Sequence, residues 1–139
     1  MPLRSLAVVA TRGSSNNIFQ VATLVRAATA LELTVQVLFD EDALLKLRRD
    51  RINLPEWSPA YRPVLADLEE RLRAAEFVDM ETFLHDAKEH GDDVAFWAGA
   101  ETMAAARLQL SDLTPLLNGE RPRDDFLADA RAADALLTF

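Results

Sequence analysis

Leu6-Ala7-Val8-Val9-Ala10, then Thr11-Arg12-Gly13-Ser14-Ser15-Asn16-Asn17, then Ile18 to Leu31, then Thr34-Val35-Gln36-Val37-Leu38-Phe39 form one continuous pattern. The first run is short and wholly apolar, without alternation, which suits a strand buried on both faces of a parallel sheet. The second is turn chemistry. The third places Ile18, Val21, Leu24, Val25, Ala28 and Leu31 at helical spacing. The fourth is β-rich. Two buried strands joined by a helix make a βαβ unit. Its loop falls at the carboxyl end of the first strand, where open α/β sheets hold their ligands.

Outward from this unit the same logic continues. The helix has a wide apolar arc, broadened by Phe19, and only Arg26 and Glu32 are charged. Such a helix needs cover beyond the sheet, from a neighbouring helix or from another subunit. Ser15 or Asn16 is expected to cap it. Asp40 is placed to cap a helix over the following residues, acidic at its start and basic at Lys46, Arg48 and Arg49. Pro55, Pro59 and Pro63 punctuate a long irregular stretch that carries Trp57 and Tyr61, a site lid or packing against the body. Tyr61, Leu65, Leu68 and Leu72 then recur at helical spacing. Asp67 with Arg71 and Glu69 with Arg73 are set for ion pairs on the wet face. Asp79 caps Met80 to Glu89, and Gly91 ends that helix.

Val94-Ala95-Phe96-Trp97 reads as a third buried strand, with Ala98-Gly99-Ala100 as a turn and a helix from Glu101 to Leu108. Leu113 to Leu117 reads as an edge strand or extended loop because of Pro115. Asn118-Gly119 reads as a turn, Asp125 to Ala132 as a helix capped by Asp124, and Leu136 to Phe139 as a last strand. The expected fold is a single α/β domain over residues 1–139, a three-layer α/β/α sandwich with a mainly parallel sheet and helices on both faces. Right-handed crossovers put the loops after Ala10, Phe39 and Trp97 at one edge.

Composition narrows the function. The net charge is −8, which gives no footprint for nucleic acid and opposes an anionic membrane surface. There is no cysteine, so disulfides, thiolate metal sites and thiol nucleophiles are all excluded. No signal peptide or apolar run of membrane-spanning length is present, and a soluble cytoplasmic protein is the expectation.

The candidate ligand-binding residues are Thr11, Arg12, Gly13, Ser14, Ser15 and Asn16 on the first βα loop, with Trp97, Gly99 and Glu101 as the facing wall. Gly13 permits close backbone approach, Ser14 to Asn16 offer donors at a helix N-terminus, and Arg12 adds positive charge. That suits a small anion, although the loop is neither a Walker A nor a dinucleotide fingerprint. The competing reading is an ordinary capped turn. Glu101 is a candidate acid or base if its environment is dry, and otherwise a helix-start carboxylate favoured by the dipole. His85 and Glu89, with His90, have the spacing to share a metal, but a solvated helix face explains them as well. Ser14 has no partner base nearby in this reading, so no catalytic residue and no cofactor is assigned.

The chain resembles the DsrE/DsrF-like (DsrEFH-fold) proteins. The resembling stretches are Ala10-Thr11-Arg12-Gly13-Ser14-Ser15, Ala30 to Phe39, Ala87-Lys88-Glu89-His90-Gly91, Val94 to Met103, Ser111-Asp112-Leu113, Phe126 to Ala130 and Leu136 to Phe139. The resemblance implies a flavodoxin-like three-layer fold and a homo-oligomer. In some members of the family it implies a persulfide-carrying cysteine after a late strand. The corresponding position here is Gly99, and glycine cannot carry a persulfide. The function expected is therefore binding of a small ligand or partner protein without cysteine-based sulfur transfer. The alternatives are a small-molecule enzyme with an anion cradle at the first loop, or a scaffold subunit of a sulfur-relay-type hetero-complex.

Overall fold

The computed structural model describes residues 2–139. Five parallel strands form one sheet: β1 (Ser5–Ala10), β2 (Thr34–Phe39), β3 (Val94–Gly99), β4 (Gly119–Arg121) and β5 (Ala135–Thr138), in the spatial order β4-β3-β2-β1-β5. Six helices connect them: α1 (Ser15–Ala30), α2 (Glu41–Lys46), α3 (Leu65–Ala74), α4 (Met80–Glu89), α5 (Ala100–Ala105) and α6 (Arg123–Ala130). The α/β, flavodoxin-like expectation holds.

The strand order explains how the layers are filled. From β1 through β4 the chain always steps the same way across the sheet, so right-handed crossovers place α1 to α5 on one face. Only the return from β4 to β5 runs the other way, and it carries α6 to the second face. Register confirms the split. Val8, Val37 and Phe96 share the first face with Ile18, Val25, Leu44 and Leu84. Ala7, Val9 and Leu38 share the second with Phe126 and Ala130 of α6 and with Trp97. Both faces carry helix, but the second carries one helix of eight residues.

Most of the wide apolar arc of α1 is covered from within the chain, and only Leu31 at its C-terminal end stays open, 73% exposed. Phe19 stacks on Phe83 of α4 at 4.5 Å between ring centroids, and Phe77 lies 5.9 Å from Phe19. A second subunit is not required there.

Several boundaries differ from the sequence expectation. The N-cap of α1 is Ser14, accepting from Asn17 N–H, rather than Ser15 or Asn16. Residues Pro59–Val64 form a 3₁₀ turn before α3, and Pro63 disfavours the α conformation for Arg62 just before it. Ala98 and Gly99 belong to β3, not to a turn. The edge strand is Gly119–Arg121, while Leu113 to Leu117 is irregular. The ion pairs expected for Asp67 with Arg71 and Glu69 with Arg73 are not formed among the described residues.

Candidate functional site

The carboxyl edge of the sheet is organised by Asp40. It follows β2 directly and caps α2, yet its side chain is turned inward and only 1% exposed. Thr102 of α5 donates its hydroxyl to Oδ1 at 2.7 Å, and Glu41 N–H donates to the same oxygen at 3.0 Å. Arg123, which opens α6 beyond the far side of the sheet, donates Nε–H to Oδ2 at 2.5 Å and Nη2–H to Glu41 Oε1 at 3.0 Å. Its backbone N–H donates to both Glu101 oxygens at 3.0 and 3.2 Å. Burial pushes the Asp40 carboxyl up, but the guanidinium of Arg123, the Thr102 hydroxyl and the Glu41 N–H outweigh it and hold the group below the usual carboxylate range.

Gly99 ends β3 beside this cluster. A Cβ built there would lie 2.3 Å from Asp40 Oδ1 and 2.8 Å from its Cγ. The carboxylate of Asp40 fills the volume that a side chain at position 99 would occupy. That carboxylate reaches across from the neighbouring strand, already paired with Arg123.

Glu41 has φ +48°. The three other non-glycine residues with positive φ, Glu32, Glu76 and Arg107, lie just past the ends of α1, α3 and α5, where left-handed residues commonly terminate helices. Glu41 is at a helix start, the one such position at a strand end. An open groove of about 400 Å³ begins there, lined by Glu41, Asp42, Leu45, Glu101, Thr102 and Arg123.

The first βα loop is packed differently from an open cradle. Ser15 is buried. Its N–H donates to the Glu56 carbonyl at 2.8 Å, its hydroxyl donates to the Leu54 carbonyl at 3.3 Å, and it accepts from Glu56 N–H at 2.8 Å. Asn16 Oδ1 accepts from Ser58 N–H at 2.9 Å. Gly13 sits where a Cβ would lie 2.4 Å from the Asp42 carbonyl oxygen. Thr11 N–H donates to the Phe139 carbonyl at 2.7 Å, and Thr11 and Arg12 are exposed.

The 51–58 segment is held over the α1 N-terminus by Lys46. That ammonium is fully buried and donates to the carbonyls of Arg51 and Leu54 at 3.0 and 2.6 Å and to Glu56 Oε1 at 2.8 Å. Burial lowers the Lys46 pKa against the opposing pull of Glu56.

The remaining expected residues separate. Trp97 lies on the second face, half-buried, its indole N–H donating to Gln36 Oε1 at 2.8 Å and the Arg121 guanidinium 5.6 Å from its ring. Trp57, on the loop that the sequence offered as a lid or as packing, lies against Tyr61 with ring centroids 6.1 Å apart. Glu101 and Gly99 join the Asp40 cluster; Arg12 does not line the groove that Glu101 lines. His85 is exposed beside Asp86 and Glu89, and His90 Nδ1 pairs with the Thr29 hydroxyl at 2.8 Å. Among the described residues no group of acids and histidines is placed to hold a metal ion, and no helix is long and apolar enough to cross a membrane.

Asp40 as an inward carboxylate, and Thr102 and Arg123 as its partners, were not legible as a site. The acidic triplet Asp40-Glu41-Asp42 directly after a strand was the available signal. Its counter-ion lies 83 positions away in sequence.

Comparison with solved structures gives the same fold at low sequence identity. Protein MTH1491 from Methanobacterium thermoautotrophicum, described as of unknown function, is 13% identical with a TM-score of 0.66, covering 96% of this chain and 98% of that one. The ychN protein from E. coli is 15% identical with a TM-score of 0.60, covering 99% and 100%. No family model matches the sequence, and no curated protein matches it. At this identity the two neighbours show the fold alone: this chain shares their α/β architecture over nearly its whole length.

Proposed function

We propose that this chain is a self-associating binding protein of DsrE-like fold that does not transfer sulfur through a residue of its own, and that its ligand sits in the groove at the carboxyl edge of the sheet. The observation that carries the reading is the Asp40 carboxylate, held by Arg123 and Thr102 in the space beside Gly99. Open α/β sheets bind ligands at this edge. The strained backbone of Glu41 fits the same place, because strain is retained at sites where the surroundings enforce it.

Charge selects the ligand class. Arg123 is committed to Asp40, Glu41 and Glu101, so the acceptor capacity left in the groove is Asp42 together with the remaining lone pairs of Glu41 and Glu101, a net negative set. A primary amine or guanidinium on a small molecule or peptide matches that set. The anion expected at the first loop finds Ser15 and Asn16 engaged by residues 54–58.

Thermal unfolding against basic amino acids, polyamines, nucleotides, phosphates, CoA species and sulfur anions tests the reading. A ligand at 100 times its dissociation constant stabilises by about 2.7 kcal/mol, a shift of several degrees in a domain of this size. The expected result is a shift with amines that Glu41→Gln removes and Arg12→Ala leaves intact. A shift with anions that Arg12→Ala abolishes relocates the site to the first loop. Silence across the panel rejects small-ligand binding.

A further inference from the structure

Ser5 and Ala7 of β1 stand opposite Thr34 and Gln36 of β2, and all four point to the face that α6 covers. A strand inside a parallel sheet is normally apolar on both faces. Here that face carries a serine, a threonine and a glutamine towards the amino ends of two interior strands. Helix α6 lays Phe126 and Ala130 over Ala7, Val9 and Leu38, and ends at Ala130. Beyond it the turn into β5 offers only Ala132 and Ala133 as cover. A hollow of about 250 Å³ is left against the sheet.

Gln36 is held in one orientation at this hollow. The indole N–H of Trp97 can only donate, so the atom it meets at 2.8 Å is Oε1, and the amide Nε2–H2 is turned away from Trp97. One lone pair of Oε1 is used and one is left. Neither the amide N–H groups nor the Thr34 hydroxyl meets a partner among the described residues, although both side chains line the hollow. No buried side-chain polar atom lacks a partner, so these groups are open to the hollow rather than sealed beneath it. The rim is electrically balanced. Arg121 donates Nη2–H to Asp129 and to the Asp125 carbonyl at 3.2 Å, and its guanidinium stands 5.6 Å from the rings of both Trp97 and Phe126.

We infer that this hollow binds a small neutral ring carrying a cyclic amide, of the 2-pyridone or pyrimidinone class. Gln36 donates Nε2–H to the ring carbonyl, and the ring N–H donates to the remaining lone pair of Oε1. The Thr34 hydroxyl serves a further polar atom of the ring. Leu6, Ala7, Phe126, Ala130 and Ala133 take its apolar faces. The volume lies below the roughly 300–1,000 Å³ of sites for drug-sized ligands, which suits a single ring. Charge selects against ions. A carboxylate would have to sit near Asp129, and an ammonium near Arg121, whereas a neutral ring leaves that pair intact. The site lies on the opposite face of the sheet from α2 and α5, and it stands whether or not the Asp40 groove binds an amine.

Nitrogen-15 NMR of the full chain titrated with 2-pyridone to about 10 mM, the range for a ligand this small, tests the inference. The expected result is a saturable shift of the Gln36 side-chain NH2 and Trp97 indole signals, with the Trp57 indole unmoved. N-methyl-2-pyridone lacks the ring N–H and should bind about tenfold more weakly, as should benzoate and benzylamine. Gln36→Glu keeps an acceptor for the Trp97 indole and removes both N–H donors, and should weaken 2-pyridone at least about tenfold. The N-methyl comparison needs no variant and decides the case if Gln36→Glu does not fold. Unmoved Gln36 and Trp97 signals, equal binding of the N-methyl compound or of either ion, or full binding by a folded Gln36→Glu overturns the inference. Shifts confined to Glu41, Asp42 and Glu101 overturn it too, and place the ring in the sheet-edge groove instead.

Discussion

At the scale of single residues, the pair Gly99 and Asp40 carries the main consequence. Placing a thiol at Gly99 by Gly99→Cys drives a Cβ into the Asp40 carboxylate, and overpacking of this kind costs about 1–3 kcal/mol. Combining it with Asp40→Ala frees the space. The double variant should therefore lose less stability than the sum of the two singles, a coupling that denaturant titration of the four chains reads directly. Strictly additive losses would show that the two side chains do not compete.

The same carboxylate sets a pH dependence. The folded pKa of Asp40 lies below its unfolded value, so its contribution is fully present above about pH 4 and is lost as pH falls through the lower folded value. Glu56, held down by Arg51 and Lys46, acts in the same direction. Urea midpoints should be level from neutral pH down to about pH 5 and fall below about pH 4, and Asp40→Asn should flatten that fall. Lys46 gives a further expectation. Lys46→Met strips the buried donor from two carbonyls and from Glu56, and should cost about 2–3 kcal/mol. This is below a fully buried pair, because Glu56 is 38% exposed and keeps Arg51. Amide exchange at Ser15 should quicken in that variant, as the segment over it loosens.

At the scale of elements, legibility followed locality. The βαβ unit was legible because strand, turn chemistry and helix period all lie within some thirty residues, and β2 was placed residue for residue. Asp79 was legible as a cap for the same reason. Strand β4 was not. Gly119, Glu120 and Arg121 have little strand character of their own, and they are extended only because β3 offers an edge at Trp97 to Gly99. The helix ends were also hidden. Glu32, Glu76 and Arg107 take the left-handed position where glycine would normally advertise the stop. Because a left-handed conformation costs a non-glycine residue about 1–2 kcal/mol, Glu76→Gly and Arg107→Gly should each stabilise the protein by roughly 1 kcal/mol once the entropy lost by glycine is set against it. Thermal midpoints of the two variants check this.

At the scale of the whole molecule, the decisive quantity is the direction in which the chain crosses its sheet. Four strands laid in one direction crowd α1 to α5 onto a single face, and that face supplies most of the core. The candidate site draws on both layers, since Arg123 comes from the helix on the thinly covered side and Thr102 from the crowded side. That convergence could not be read from local pattern, because it depends on β5 returning beside β1 rather than on any property of the residues at the edge.

The return of β5 also has a cost in time. Leu6 pairs with Ala135, so one side of β1 is completed by residues made 129 positions later. At ribosomal speeds of about 5–20 residues per second, β1 waits on the order of ten seconds with that side open. Its other edge meets β2 far sooner. During this interval the nascent chain displays an apolar central strand with a free flank, and it is then that its open edge is most exposed to wrong pairing.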